Sequence, residues 1–521
     1  MQDQSHNFNR NHFIEELNEQ SQWDIIIIGG GATGLGTALD AASRGFKTLL
    51  LEQSDFAKGT SSRSTKLVHG GVRYLAQGDV ALVREALKER GLLFQNAPHL
   101  VKKQAFIIPC FSWFSQMKYL IGLKLYDWLS GKYSFGKSKA LSNNTVLELM
   151  PDLNPKDLKG GVEYYDGQFD DARLAIDIAK TSVKQGASLI NYFKVTGLTK
   201  DSSEKVSGVI AKDLESNRTY NIKAKVVINA TGVFVDDILK MDHPQRKPMT
   251  RPSQGIHLVL DGSFWKSNKA LMIPETSDGR VLFAVPWHEH LLVGTTDTPL
   301  KTHSIEPIAL DAEIKFILDT TKQYLTKEAL KKDVLSVFAG LRPLAAPDKD
   351  VDSTKEISRS HKIYLEKSNL ITITGGKWTT YRKMAEDTVD KAIKVGNLEA
   401  RKCKTYNLSI QDTKGDLNSG EVYSNEPLHP VYTISETDIV KAARFEMART
   451  IEDVLARRFR ILFLDAQVAL NLAPLVAPIL AKELNKDEEW QKNQLLEFSE
   501  LVKPYLIEYF IKSKKESVDY N

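Results

Sequence analysis

The chain has 521 residues, of which 42% are hydrophobic and 26% are charged, so it is too long for one compact core and too apolar for a disordered protein. Its formal net charge of +4 is small for this length, which argues against nucleic-acid binding, because that function concentrates basic residues on one face. The two cysteines, Cys110 and Cys403, form no C-x-x-C pair, so we expect neither a metal site nor a dithiol redox centre.

The amino-terminal 22 residues are polar and contain no apolar segment of the kind that a secretory signal requires. No uncharged stretch reaches the roughly 18 apolar residues that indicate a membrane span. We therefore expect a cytoplasmic protein, which reaches a membrane only by docking a surface segment on it.

After the polar amino terminus, residues 23–52 read as a strand, a glycine turn, a helix and a second strand, which together form a βαβ unit. Gly29, Gly31 and Gly34 form the pattern G-x-G-x-x-G. The first glycine permits the tight turn, the second lets a pyrophosphate approach the backbone, and the third allows the helix to pack closely on the strand. Glu52 ends the second strand, where a carboxylate accepts hydrogen bonds from an adenosine ribose. The unit predicts a dinucleotide site without separating FAD from NAD.

Two later segments favour FAD over NAD. One strand ends in small residues at Asn229–Gly232, so that a dinucleotide can pass close to the backbone there. Another strand ends at Gly375–Lys377 and leads into a helix whose amino terminus can face a flavin. FAD is long and extended, and it contacts early, middle and late parts of a chain. A one-domain NAD-binding fold does not need several distant segments of the chain to return to the same ligand. We therefore predict FAD as the cofactor.

Other regions of the chain differ in pattern. Short alternating strands between residues 255 and 297 indicate an antiparallel sheet, and the pattern becomes helical after about residue 400. Ser435 with Asp438, and Thr450 with Asp453, each resemble a capping box that begins a helix.

The predicted fold class is α/β, with a Rossmann-like FAD-binding domain of the glutathione-reductase or D-amino-acid-oxidase type, a mostly antiparallel β substrate domain and a C-terminal helical domain. The expected boundaries are 1–22 for a polar segment, 23–90, 160–250 and 335–395 for the FAD-binding domain, 91–159 and 251–334 for the substrate-binding and membrane-facing domain, and 396–521 for the helical domain.

The segment GTSSRSTKLVHGGVRYL, residues 59–75, combines small residues that leave room for a flavin ring with backbone N–H groups for its pyrimidine edge. It resembles the flavin-contacting loop of the FAD-dependent glycerol-3-phosphate dehydrogenases. The resemblance continues at LRPL (341–344), SRSHKI (358–363), TGGKWTTYRKMAED (374–387) and EMARTIEDVLARRFRI (446–461), and so covers nearly the whole chain. Val72 and Ala76 depart mildly from the family, which more often has leucine and glutamate there. We expect no calcium-binding extension of the kind that the mitochondrial members carry, so the resemblance is to the bacterial aerobic form.

The resemblance implies oxidation of sn-glycerol 3-phosphate to dihydroxyacetone phosphate by hydride transfer to flavin N5, with electrons passed to a membrane quinone. A homodimer is a further expectation. Such a site needs cations for the phosphate and a base for the hydroxyl proton. The resemblance places Arg342, Arg359 and Lys377 around the substrate, although isolated arginines are more often solvated or paired with acids. His257 and His69 are the candidate bases; we prefer His257, whose alternative role is that of a strand histidine facing a sheet.

The expected catalytic residues are His257, Arg342, Lys377 and His69, and the expected substrate contacts are Arg342, Arg359, Lys377, Arg73, Tyr74 and His257. The expected cofactor contacts are Gly29, Gly31, Gly34, Glu52, Thr60, Ser61, Ser62, Lys66, His69, Gly70, Gly71, Val195, Ala230, Thr231, Gly232, Gly375, Gly376, Lys377 and Thr379.

Residues 111–141 hold eight aromatic residues, five lysines and a single acid, Asp127. Aromatic rings at headgroup level and lysines in the polar layer are typical of docking on an anionic membrane surface. The alternative is an ordinary helix that covers the substrate domain. We expect peripheral association with the inner face of the cell membrane.

Three other functions stay open. The first is an oxidase that reduces O₂ to peroxide, and the second is a related flavin enzyme that oxidises an amino acid or a hydroxy acid. The third is a binding or regulatory protein that FAD only stabilises. The cationic cluster suits a phosphate dianion better than a carboxylate, which disfavours the second function, and the intact Gly375–Lys377 segment disfavours the third.

Overall fold

The computed structural model describes residues 8–76, 78–277, 279–345, 361–411, 417, 421 and 423–511, with the backbone alone described at 73, 76 and 345. The described helices are α1 (Arg10–Glu19), α2 (Ala32–Ser43), α3 (Val72–Ala76), α4 (Val80–Asn96), α5 (Trp113–Ser130), α6 (Asn143–Leu149), α7 (Asp171–Lys184), α8 (Val235–Asp242), α9 (Asp311–Tyr324), α10 (Tyr381–Val395), α11 (Glu436–Glu446), α12 (Ile461–Leu464), α13 (Ala466–Glu483) and α14 (Glu488–Val502). The described strands are β1 (Trp23–Ile28), β2 (Thr48–Leu51), β3 (Leu67–Val68), β4 (Val101–Cys110), β5 (Lys139–Ser142), β6 (Gly160–Phe169), β7 (Ala187–Ile190), β8 (Phe193–Lys200), β9 (Val206–Asp213), β10 (Thr219–Asn229), β11 (Thr250–Asp261), β12 (Ala270–Ile273), β13 (Leu282–Trp287), β14 (His290–Gly294), β15 (Thr298–Pro299), β16 (Val334–Ala345), β17 (Lys362–Leu365) and β18 (Ile371–Thr374).

The first sheet is built around β1, whose apolar run is buried as a parallel strand in the middle of a sheet requires. Its strand order is β17-β18-β10-β1-β2-β7, and the β8–β9 hairpin joins it through β10. The strands β18, β10, β1, β2 and β7 pair in parallel, as expected of a Rossmann-like nucleotide-binding sheet. The predicted late return of the chain to this sheet is confirmed, because β18 pairs with β10.

The second sheet is mostly antiparallel and has the order β15-β11-β14-β13-β12-β4-β6-β3, with β16 paired to β11 and β5 paired to β6. Two of its strands correct the expected domain boundaries. Residues 160–169 and 335–345 were expected in the FAD-binding domain, but β6 pairs along its length with β4, and β16 pairs with β11. The apolar alternation of a strand does not specify which sheet it joins, because its pairing partners are distant in sequence.

The C-terminal helical domain comprises α11 to α14 and a π-helical turn at Asp453–Arg458. Its apolar core includes Phe338 of β16 and Val259 of β11, so the domain packs directly on the second sheet. The capping box of Ser435 and Asp438 is confirmed. Thr450 and Asp453 also exchange hydrogen bonds, but the helix that begins there is π-helical from Asp453 to Arg458 instead of a regular α-helix.

Among the helices that the structure describes, none combines the length and the apolar character needed to cross a membrane.

Candidate cofactor and substrate site

Two adjacent cavities lie where the two sheets meet. The larger cavity, about 700 Å³, lies at the carboxyl ends of β1, β2 and β10, the usual ligand position in an open parallel sheet. The smaller cavity, about 320 Å³, is bordered by residues of β11 and β16 in the second sheet. Both cavities are lined by Thr60, Arg63, Pro343 and residues 375–378. A long ligand in the larger cavity can therefore extend to the edge of the smaller one.

The glycine turn between β1 and α2 can pack against the neighbouring backbone only because two of its positions, Gly29 and Gly34, lack side chains. Gly29 has a φ of +106°, and a Cβ there would lie 2.7 Å from the carbonyl oxygen of Ala230. A Cβ on Gly34 would lie 1.8 Å from the carbonyl oxygen of Gly29. The helix α2 begins at Ala32, directly after the turn, and its amino terminus favours a bound anion. These features fit the pyrophosphate of FAD.

The Glu52 carboxylate is held by two backbone groups at the edge of the larger cavity. Its Oε2 accepts a hydrogen bond from the N–H of Gly30 at 2.6 Å, and its Oε1 accepts one from the N–H of Ser54 at 2.8 Å. Burial raises the pKa of Glu52, although both hydrogen bonds act in the opposite direction. The fixed acceptor at this position fits the ribose hydroxyls of FAD.

Most of the expected cofactor contacts line one cavity or both. Those at the larger cavity are Gly29, Gly31, Glu52, Thr60, Ser61, Val195, Ala230, Thr231, Gly232, Gly375, Gly376 and Lys377. Those at the smaller cavity are Thr60, His69, Gly71, Gly375, Gly376, Lys377 and Thr379.

Three residues of the flavin loop, Ser62, Lys66 and Gly70, line neither cavity, and the expectation that they contact the cofactor stays a prediction. The Lys66 ammonium is fully buried and lies 2.7 Å from the Asp171 carboxylate, to which it donates a hydrogen bond. Ser62 is also fully buried, and a Cβ on Gly70 would meet Tyr126. Some small and charged residues of this loop therefore hold the loop against the rest of the protein. Residue type alone does not separate this structural role from contact with a cofactor.

The smaller cavity brings together Arg342, Lys377, His257, His69 and Tyr74. The Arg342 guanidinium donates a hydrogen bond to the carbonyl oxygen of Thr296 at 2.9 Å and lies 3.3 Å from a carboxylate oxygen of Asp297. The Lys377 ammonium lies 3.9 Å from the centre of the Tyr74 ring.

Two further expected substrate contacts, Arg359 and the side chain of Arg73, lie outside the described residues.

His257 lies on β11 at the wall of the smaller cavity and is 2% exposed. Its Nε2 lies 2.9 Å from the hydroxyl oxygen of Thr65, and its ring stacks on Phe338 with 5.0 Å between ring centres. Burial lowers the pKa of His257 well below its ordinary value, and the positive charges of Lys66 and Arg342 lower it further. The imidazole is therefore neutral at neutral pH and able to accept a proton.

Sequence reasoning missed two arginines at the smaller cavity, Arg63 and Arg280. Arg63 donates a hydrogen bond to Glu306 at 2.6 Å, and its place within residues 59–75 was a usable signal. Arg280 lies in the loop between β12 and β13, where no local pattern distinguishes it from a surface arginine.

Comparisons with known proteins agree with this architecture. The family described as FAD dependent oxidoreductase matches residues 24–382, and the family described as C-terminal domain of alpha-glycerophosphate oxidase matches residues 405–491. The chain is 40% identical to the mitochondrial glycerol-3-phosphate dehydrogenase of Rattus norvegicus over 532 aligned residues, which cover 92% of this chain and 73% of that protein.

The fold is similar to that of the glycerol-3-phosphate dehydrogenase of Bacillus halodurans, solved in complex with FAD. The TM-score is 0.75 at 30% identity, covering 95% of this chain and 97% of that one. The L-alpha-glycerophosphate oxidase of Mycoplasma pneumoniae shares the fold at a TM-score of 0.57 and 17% identity, covering 74% of this chain and 97% of that one. The predicted fold class and the predicted cofactor, FAD, are both confirmed. The chain belongs to the family of FAD-dependent glycerol-3-phosphate dehydrogenases.

Proposed function

We propose that this protein oxidises sn-glycerol 3-phosphate to dihydroxyacetone phosphate and passes the electrons to a quinone at a membrane surface. The observation that carries the proposal is the smaller cavity, in which Arg342 and Lys377 lie together with the neutral imidazole of His257. When bound, FAD supplies the acceptor for the hydride that leaves C2 of the substrate. The names of the relatives support the same substrate.

The cations of the smaller cavity suit a phosphate dianion. A guanidinium binds phosphate through two parallel hydrogen bonds, whereas an ammonium acts as a point charge. Arg342 is held in place by Thr296 and Asp297, and Arg280 and Lys377 lie on the wall of the same cavity. A carboxylate substrate carries a single negative charge, and it does not require the several cations that line the smaller cavity.

His257 is the group that we assign to the substrate hydroxyl proton. Removal of the C2 hydrogen as a hydride leaves a carbonyl only if the hydroxyl proton also departs, and a neutral imidazole can accept that proton. The Thr65 hydroxyl, 2.9 Å from Nε2, orients the ring at the cavity wall. His69 lines the same cavity and is the alternative base.

An anaerobic titration of the holoprotein tests the reaction class. We expect sn-glycerol 3-phosphate to bleach the absorbance of oxidised flavin, and glycerol at the same concentration to leave it unchanged. Bleaching by both compounds would contradict a role for the cations in phosphate binding. Absence of bleaching in protein that contains FAD would overturn the substrate.

Membrane docking rests on α5. Its exposed apolar side chains include Trp113, Phe114 and Trp128, which are 75%, 81% and 76% exposed. Lys118, Lys124 and Lys132 are exposed on or directly after the same helix. Rings and lysines on one helix match an interface that is apolar on one side and anionic on the other.

The docking test is sedimentation with vesicles that contain an anionic lipid. The triple variant Lys118→Glu, Lys124→Glu and Lys132→Glu should stay in the supernatant, because it reverses the charge facing the lipid headgroups. The matched control reverses three exposed lysines on other elements, Lys315, Lys322 and Lys503. Equal sedimentation of both triple variants would overturn docking through α5.

The electron acceptor needs its own test, because the carboxyl-terminal part matches a domain described for an oxidase. Substrate-reduced protein should be reoxidised rapidly by a water-soluble quinone and slowly by dissolved O₂. Rapid reoxidation by O₂ with release of peroxide would contradict the quinone as electron acceptor and support an oxidase.

A further inference from the structure

A buried ion cluster joins the C-terminal helical domain to the wall of the larger cavity. Asp55 is fully buried, and its carboxylate accepts hydrogen bonds from two arginines of the π-helical turn. Arg457 Nε lies 2.5 Å from Asp55 Oδ2, and the two terminal nitrogens of Arg458 lie 2.6 and 3.0 Å from the two carboxylate oxygens. Paired guanidinium–carboxylate contacts of this kind fix both position and orientation.

Asp55 belongs to the segment 52–63, which we call the cofactor segment because most of its residues line the larger cavity. The segment is also bonded to the glycine turn. Glu52 accepts a hydrogen bond from the N–H of Gly30, and the N–H of Ala57 donates to the Gly30 carbonyl at 2.9 Å. A displacement of Asp55 would therefore displace the groups around the pyrophosphate and the ribose.

The other end of the cofactor segment has contacts to the same domain. Lys58 Nζ lies 2.5 Å from a carboxylate oxygen of Glu452, and Arg63 donates to Glu306 at 2.6 Å. The Tyr505 hydroxyl, from the C-terminal helical domain, donates to the same Glu306 oxygen at 3.0 Å. The domain thus holds the segment at several points along its length.

The Asp55 carboxylate is ionised despite its burial. Burial alone would raise the pKa of Asp55, but the charges of Arg458 and Arg457 lower it below the ordinary value. A buried ion pair of this kind tolerates little displacement, because a separated partner would be left as an uncompensated charge in the interior.

We infer that the C-terminal helical domain controls the retention of FAD, with Arg457 and Arg458 as positioning residues that hold the cofactor segment against the bound dinucleotide. Neither arginine lines the larger or the smaller cavity, so their effect on the cofactor is transmitted through Asp55. The inference concerns cofactor binding and does not depend on the identity of the substrate or the electron acceptor.

The test compares Asp55→Asn with the matched control Glu215→Gln. Glu215 also accepts two hydrogen bonds of 2.7 Å from an arginine of the C-terminal region, Arg449, but it lies outside the cofactor segment. FAD release is followed as the rise of free-flavin fluorescence after dilution of the holoprotein, at a temperature where circular dichroism shows each variant folded. Thermal unfolding is recorded with FAD bound and after FAD removal.

We expect Asp55→Asn to release FAD about tenfold faster or more, because the neutral amide no longer compensates the buried charges of Arg457 and Arg458 and the cofactor segment loses its fixed position. The difference in Tm between the FAD-bound and FAD-free forms should also shrink. In Glu215→Gln the two Tm values should fall together, with the release rate unchanged. Equal release rates in folded Asp55→Asn and Glu215→Gln would overturn the inference.

A second variant, Glu452→Gln, keeps the inference testable where Asp55→Asn does not fold. Glu452 lies in the C-terminal region, lines neither cavity and binds both Lys58 and Arg457. Its loss should also accelerate FAD release relative to Glu215→Gln. A folded Glu452→Gln variant that releases FAD at the unmodified rate would overturn the inference.

Discussion

At the scale of single residues, Arg342 shows how neighbouring groups fix the orientation of a cation at a cavity wall. It lies on β16, and its guanidinium is oriented by the Thr296 carbonyl and the Asp297 carboxylate. The pairing of β16 with β11 brings it to the cavity that His257 also lines. The guanidinium therefore faces the compartment in an orientation fixed before any substrate binds.

The substitution Arg342→Lys should raise the KM for sn-glycerol 3-phosphate about tenfold to a hundredfold, because an ammonium cannot reproduce a bidentate guanidinium–phosphate contact. Steady-state kinetics with an artificial electron acceptor measure the change, and the flavin content of the purified variant serves as the control. An unchanged KM would exclude Arg342 from phosphate binding.

For His257, the substitution His257→Gln should lower kcat by about a hundredfold to ten-thousandfold, the range that general-base groups contribute. The lowered pKa of His257 gives a second expectation. Because the imidazole stays neutral below the ordinary histidine pKa of 6.5, kcat should not decline as the pH falls from 8 to 6.5. A decline across that range would assign the proton to another group.

At the scale of elements, the βαβ unit depends on contact between the glycine turn and α2. The substitution Gly34→Ala places a methyl group 1.8 Å from the Gly29 carbonyl oxygen, so the turn must shift. We expect purified Gly34→Ala to contain a small fraction of the normal FAD, measured by absorbance after denaturation. The control is Gly122→Ala in α5, where an added Cβ meets nothing within 4 Å. Full FAD content in Gly34→Ala would show that the turn tolerates the shift.

At the scale of the whole molecule, buried carboxylates join the domains and make their association sensitive to acid. Burial raises the pKa of Glu446, but the cations Arg173 and Lys180 lower it more strongly, to about 2. Glu452, beside Arg457 and Lys58, likewise has a pKa of about 2. Because both values lie below the ordinary 4.5, the stabilisation is complete above pH 4.5 and is lost as the pH falls towards 2.

We therefore expect unfolding and FAD release to set in as the pH is lowered from 4.5 towards 2, followed by flavin fluorescence and circular dichroism. Glu446→Gln should have a shallower dependence of stability on pH in this window, because it lacks one of the groups that take up protons there. The same slope in both proteins would exclude Glu446 as a source of the acid sensitivity.

The sequence by itself determined the dinucleotide fold and the cofactor. The strand, the glycine turn, the helix and Glu52 lie within about thirty residues of one another, as a βαβ unit requires, so local spacing specifies their geometry. The two capping boxes could be predicted from the sequence for the same reason, because each joins residues only three positions apart.

Only the tertiary structure decided which strands form the second sheet and which side chains share the smaller cavity. Residues Thr65, His257, Arg280, Arg342 and Lys377 meet there although long stretches of chain separate them. Strand pairing brings them together, and neither an apolar alternation nor a lone arginine identifies the partner strand. The contact of the C-terminal helical domain with Asp55 could not be predicted from the sequence for the same reason, since Arg457 lies 402 positions further along the chain.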